Sequence, residues 1–169
     1  MESQYIDLIK ITLMSFNLIF VLYGLYLVKH HFKLMRTSSY IERFNTAEMS
    51  ISKSEARAFS ILLNKNKNDI DKFLYNFRNS SETNKQEEDI DRLIDFFTEL
   101  GLVYELGIVD DTILYYFRTI VPRYYEDLEP YIKYCQNIAK KENRVIWDRA
   151  DYIYKIIKNK YESWYYNKS

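Results

Sequence analysis

Five acidic side chains fall within nine residues: Glu87, Glu88, Asp89, Asp91 and Asp95. Carboxylates this dense could hold a divalent ion or move protons. A di-metal centre in a helical bundle, however, draws Glu-x-x-His pairs from facing helices. The two histidines, His30 and His31, stand far upstream. A calcium loop needs alternating oxygen ligands around a central glycine, and this stretch has none. The acids therefore read as the solvated start of a helix, where negative charge complements the dipole. His30 and His31 are neighbours, so on a helix they project about 100° apart and cannot chelate one ion together. A pH-sensing role for them is the alternative to plain headgroup-level residues. Cys135 falls on an apolar helix face with no nearby histidine to activate it, and reads as core packing. A single cysteine permits neither an internal disulfide nor a thiolate zinc site. The chain lacks a phosphate-binding glycine loop, a G-x-S-x-G elbow and an H-E-x-x-H pair. No catalytic residue, cofactor or metal is expected, and the chain reads as something other than an enzyme. Carboxylate or tyrosine chemistry is kept as a third reading, which a pocket joining Glu or Asp to Arg would favour and a solid apolar bundle would disfavour.

Aromatic side chains are abundant, with 17 Tyr, 10 Phe and 2 Trp. Most fall on faces that read as core. Tyr115 points away from Phe117, and Tyr116, Arg123 and Tyr134 would line one flank if a single helix carried all three. Tyrosine beside arginine makes a good anchor for a protein partner, so these four residues are the candidate partner-binding set. Acids and bases balance at 24 each, so no global field favours nucleic acid.

The element that must position these residues begins at the N-terminus. Mean hydropathy is -0.39, yet Ile11–Val28 is an 18-residue run without Asp, Glu, Lys or Arg. As a helix it is about 27 Å long, near the ~30 Å hydrocarbon thickness. The run is apolar on all faces, which argues against a core helix of a soluble domain. It lacks a basic n-region and a small-x-small cleavage site, which argues against a cleaved signal peptide. The reading is an uncleaved anchor bounded by Ile11 and Val28, in contact with the bilayer over residues 11–28. Lys29, Lys33 and Arg36 form a basic juxtamembrane end, and the positive-inside rule puts the C-terminal side in the cytoplasm and the N-terminus outside. Within the run, Asn17 and Gly24 could support self-association, making a homo-oligomer an open option.

Residues 37–169 carry 20 bases and 22 acids, a mildly acidic balance. The spacing predicts helices throughout. Ile146, Ala150, Ile153, Ile157, Tyr161 and Trp164 share one face of the last helix, with Asp148, Asp151, Lys155, Lys158 and Glu162 opposite and an Asp151–Lys155 pair at i, i+4. Asn45 or Thr46 caps a helix carrying Met49, Ala56, Phe59 and Leu62. Asn68 caps a short one carrying Ile70, Phe73, Leu74 and Phe77. A helix from about Asn84 carries Ile90, Leu93, Ile94, Phe97 and Leu100 and stops at Gly107. Asp110 caps the next, whose apolar row from Ile113 to Cys135 crosses Pro122 and Pro130 in unbroken register. That register favours kinks at the prolines, with a break near Pro122 as the alternative. The expected fold is all-α: one transmembrane helix in residues 1–36, with the boundary at Thr37–Ser39, then a cytosolic bundle of about five helices in residues 37–169.

Three stretches, YIERFNTAEM (Tyr40–Met49), FFTELGLVYELGIVD (Phe96–Asp110) and RYYEDLEPYI (Arg123–Ile132), follow the apolar run in order. Together they resemble a bacterial family of small membrane-anchored helical proteins, domain-of-unknown-function family 4760. The resemblance implies an all-helical cytosolic module behind one anchor. It implies no activity, and so no catalytic residue.

The leading functional reading is a single-pass inner-membrane protein whose helical domain binds a protein partner at the cytoplasmic surface. The alternative is a membrane-acting stress or phage-defence effector that oligomerises through its anchor.

Overall fold

A computed structural model describes residues 2–166, with side chains described at residue 10 and residues 12–161. The side chains of Ile11, Glu162 and Trp164, which enter the readings above, lie outside the described residues. Among the described residues the chain is all-α: α1 (Glu2–Phe44), α2 (Ala47–Lys65), α3 (Ile70–Arg78), α4 (Asn84–Glu105), α5 (Thr112–Phe117), α6 (Ile120–Lys141) and α7 (Asp148–Tyr166). The expected bundle of about five helices follows α1, its fourth member divided into α5 and α6.

α1 runs 43 residues without a break, about 65 Å at 1.5 Å per residue. Residues 37–39, read as the boundary, lie inside it. What changes there is burial. The helix is exposed from Thr12 through Phe32, Lys33 is half-buried, and Thr37 and Phe44 are buried. The apolar stretch and the start of the domain therefore share one helix. Among the described residues one α-helix is long and apolar enough to cross a membrane, and none of its apolar stretch is buried by the domain.

Several local expectations are met for the physical reasons given. Thr46 caps α2, its side chain accepting from the Met49 N–H. α4 is closed, just past its cap at Leu106, by Gly107, whose φ of 65° allows the Ile108 N–H to reach Val103 O and the Gly107 N–H to reach Tyr104 O, at 2.9 Å each. That is a Schellman closure, with glycine at its left-handed position. Lys155 meets Asp151 at 2.5 Å.

Two expectations are corrected. Asn68 does not cap α3. A 3-10 turn, Lys67–Asp69, leads into that helix, and no side chain caps it. The helix from Asp110 does not run through the prolines; it breaks at Arg118–Thr119. Pro122 then occupies the first turn of α6, where its missing N–H has no intrahelical partner to lose. Pro130 stays inside α6.

α4 packs between α2 and α7, α6 lies against α7 and α2, α3 packs on α6, and the end of α1 meets α5 and α2. The core is aromatic at both ends. The Phe44 ring meets those of Phe96 and Phe117 at 5.4 and 5.0 Å. Phe59 meets Phe77 and Tyr131 at 4.4 and 5.3 Å. The last residue of α1 is thus a core residue.

Candidate functional site

Tyr26, Lys29, Lys33, Arg36, Tyr40 and Arg43 follow at intervals of 3, 4, 3, 4 and 3, so they share one face of α1. At its domain end this row is locked. Tyr40 donates from its hydroxyl to Glu99 at 2.7 Å, and Arg43 meets the other oxygen of that carboxylate at 2.5 Å. Burial, followed by the Glu99 carboxylate, pushes the Tyr40 phenol up to about 12, so it remains a donor. One turn back, the Asp110 N–H donates to the buried Thr37 Oγ1 at 2.8 Å.

Toward the apolar stretch the row opens. Tyr26, Lys29, His30 and Lys33 line a hollow of about 360 Å³ closed on the other side by Asp110. The Tyr26 ring stacks on His30 with centroids 6.3 Å apart. Asp110 accepts from the Thr112 N–H at 3.0 Å. Asp111 receives Lys160 at 3.0 Å and the Tyr104 hydroxyl at 3.1 Å. The loop from Leu106 to Asp111 lies against Lys33: a Cβ added to Gly107 would stand 3.9 Å from the Lys33 Nζ. This loop exposes Leu106 at 62% and Ile108 at 39%. Sequence reading found the three bases but not the loop facing them, because that pairing is tertiary.

In the apolar stretch, Asn17, Gly24 and Val28 are all exposed. A Cβ on Gly24 would meet nothing within 4 Å. Asn17 and Gly24 are seven residues apart and therefore share a helix face.

The single helix expected to carry Tyr116, Arg123 and Tyr134 is divided, so that Tyr116 lies on α5 with Tyr115, and Arg123 and Tyr134 lie on α6. Tyr116, on α5, receives the Asn45 side-chain amide at 2.9 Å and packs its ring on Phe117. Arg123 and Tyr134, on α6, are exposed and half-buried. Tyr115 is exposed, with Arg118 stacked over its ring at 3.8 Å and Tyr161 edge-on at 6.5 Å.

The acidic run of α4 is solvated only in part: Glu88 and Asp95 are exposed, Glu87 and Asp91 half-buried. Asp89 is 5% exposed and pairs with Arg92 at 2.5 Å, while Arg92 also meets Glu48 at 3.2 Å. Asp91 and Asp95, four residues apart, line a cleft of about 330 Å³ with Arg78, Cys135, Arg144 and Trp147, and Glu87 stands one turn before them. Each acid has a donor. Arg78 meets Glu87 at 2.7 Å, the Tyr131 hydroxyl meets Asp91 at 2.8 Å, and Trp147 Nε1 meets Asp95 at 2.8 Å. Arg144 pairs with Glu142. Trp147 is held at φ 56°, a left-handed backbone that costs a bulky residue about 1 kcal/mol or more. Its indole bond to Asp95 and its ring contact with Tyr131 at 5.9 Å help offset that cost. The cleft does join carboxylates to arginine, but these groups satisfy one another. Burial pushes the Cys135 thiol up to about 11, which disfavours the thiolate at neutral pH.

Burial, reinforced by Glu87 and Asp95, raises Asp91 to about 6 despite the Tyr131 hydrogen bond. The folded state therefore holds a proton that the unfolded chain has released between about pH 4 and 6. The stabilisation from Asp91 is complete below about pH 4 and is lost as pH rises through 6. Asp91→Asn keeps an acceptor for Tyr131 and removes the charge. It is expected to raise stability at neutral pH by about 2 kcal/mol and to abolish the difference near pH 4. Urea midpoints of the two proteins across that range check this.

These features define an all-helical module carried on the end of a single long, apolar helix. The chain matches, over residues 11–156, a family described as a domain of unknown function, DUF4760, and it belongs to that family. No curated protein and no solved structure matches it.

Proposed function

We propose that this chain is a single-pass membrane protein whose helical domain docks a protein partner at the cytoplasmic membrane surface. The observation that carries the reading is the state of α1. Thirteen large apolar side chains between Leu13 and Val28 are 46% to 71% exposed, whereas Phe44 at the end of the same helix is buried. Leaving that stretch in water forfeits on the order of 10–20 kcal/mol of apolar burial, and a bilayer recovers it. Lys29, Lys33 and Arg36 at one end favour the orientation with the domain inside.

The full chain is expected to pellet with membranes, resist alkaline extraction and require detergent for release. The C-terminal domain is expected to be protected from protease added to intact cells. Recovery as a well-behaved monomer from the aqueous fraction would overturn the membrane reading, and digestion in intact cells would overturn the orientation. Asn17 and Gly24 on one face of the span favour a second reading, an effector that self-associates through its anchor. Crosslinking in membranes separates the two: a dimer lost on Asn17→Leu supports the effector.

A further inference from the structure

We propose that the hollow between α1 and the α4–α5 loop seats the headgroup of an anionic phospholipid. The proposal rests on the membrane reading of α1 and gives that reading a specific ligand. Depth is the first argument. The uncharged run ends at Val28, and Lys29, His30 and Lys33 follow within about 7.5 Å along the axis, the level of lipid phosphates. Their aliphatic stems can lie beside acyl chains while the ammonium groups remain in the headgroup layer.

The second argument is the shape and charge of the site. The hollow has a wall on each side, α1 and the loop at Asp110. Of the acids beside it, Asp111 holds Lys160 and Tyr104, while Asp110 caps the turn at Thr112 and keeps its charge at the rim. Lys29 and Lys33 outnumber the one carboxylate that lines the hollow, Asp110, and leave it net positive toward an added anion. A phosphodiester offers one negative charge and two unesterified oxygens to this pair of ammonium groups. The choline of a zwitterionic lipid would compete with the lysines for that charge, so the site selects a lipid with net negative charge.

The third argument is independent of charge. The left-handed turn at Gly107 leaves Leu106 and Ile108 exposed beside Lys33. Apolar side chains next to lysines at this depth match a surface that dips into the boundary between headgroups and acyl chains. The loop thus gives the domain a second point of contact with the leaflet.

The test uses the full chain in nanodiscs of phosphatidylcholine alone or mixed with phosphatidylglycerol, with retained lipid measured after detergent exchange. Phosphatidylglycerol is expected to be enriched on the wild type over its bulk share. The enrichment should fall about fivefold for each of Lys29→Gln and Lys33→Gln, and stay unchanged for Lys10→Gln at the opposite end of the span. In mixed-lipid discs, amides 106–111 are expected to exchange more slowly than in phosphatidylcholine discs. Equal retention by the wild type and the Lys29→Gln/Lys33→Gln double variant would overturn the proposal. So would loop protection reproduced in phosphatidylcholine discs by inorganic phosphate, which would assign the site to a free anion. Insertion without lipid selectivity removes the seat alone, whereas failure to enter discs of either composition removes the membrane reading and the seat with it.

Discussion

Phe44→Ala is expected to unfold the junction between the long helix and the bundle at a cost of about 3–5 kcal/mol. Phe44 is the last residue of α1 and is 3% exposed. Its ring meets three phenylalanines, Phe96 and Phe97 from α4 and Phe117 from α5, the last edge-on at 5.0 Å. Lys53 lies over the ring at 4.3 Å and donates to the Phe44 carbonyl at 2.9 Å. Truncation leaves a cavity bounded by rigid rings that have little freedom to collapse, so the cost belongs at the upper end of the range. A chain of this size should lose about 10 °C or more in melting temperature. Phe32→Ala on the same helix is the control. Phe32 is exposed, and its truncation should shift domain stability by no more than about 0.5 kcal/mol. Thermal melts of both variants in detergent check this. Equal effects would mean that α1 does not end in the core.

The consequence for function is mechanical. The same helix whose apolar stretch is long enough to cross a membrane is sealed into the bundle by Phe44, Tyr40, Arg43 and Thr37. No flexible linker separates the two parts, so the orientation of the domain follows that of the helix. Phe44→Ala should loosen the domain without affecting membrane association, since it leaves the apolar stretch intact.

Much of this architecture was legible because helix faces repeat at 3.6 residues whatever the tertiary context. The α7 face through Ala150, Ile153 and Ile157 is buried as its spacing requires. Thr46 and Gly107 act where capping chemistry places them. The break before α6 was harder to read, because the row Ile113, Phe117, Ile120, Tyr124 keeps a 4, 3, 4 spacing across it. Apolar phase survives a break whenever the two helices bury the same side, and here both do. Only Pro122 marked it, from four residues downstream of Arg118.

The acids of α4 show a signal present in the sequence and passed over. Asp89, Leu93, Phe96, Leu100 and Val103 follow at 4, 3, 4 and 3, so Asp89 heads the buried row of the helix. Its phase pointed inward, whereas its charge suggested solvent. Arg92, three residues on, resolves the conflict by pairing with it. Glu87, Asp91 and Asp95 flank that row, and their partners Arg78, Tyr131 and Trp147 come from elements that no local spacing relates to α4. The loop facing Lys29 and Lys33 was hidden for the same reason. A row of bases on one helix is visible in sequence, while the opposite wall of the hollow depends on how α4 ends against α1.

Gly101→Ala is expected to be more damaging than its chemistry suggests. Gly101 lies inside α4, where alanine would normally stabilise a helix by about 1 kcal/mol. Here an added Cβ would stand 2.2 Å from the Arg149 carbonyl oxygen and 2.9 Å from its carbon. Those are backbone atoms near the start of α7, so no side chain can turn aside to relieve the collision. The glycine is what allows α4 and α7 to approach this closely, and Ala150 beside the contact is fully buried. Relief requires α7 to move outward, which withdraws Ile153 and Ile157 from the core and strains the Trp147 indole bond to Asp95. Overpacking of this kind costs about 3 kcal/mol or more, well above the propensity gain. Gly24→Ala supplies the contrast, since its Cβ meets nothing within 4 Å, and there the propensity gain should stand alone. Urea unfolding of the two variants in detergent should therefore give opposite signs. A Gly101→Ala protein as stable as the wild type would mean that α4 and α7 are not packed this closely. Loss of stability with indole fluorescence shifted toward solvent would mark α7 as the element displaced.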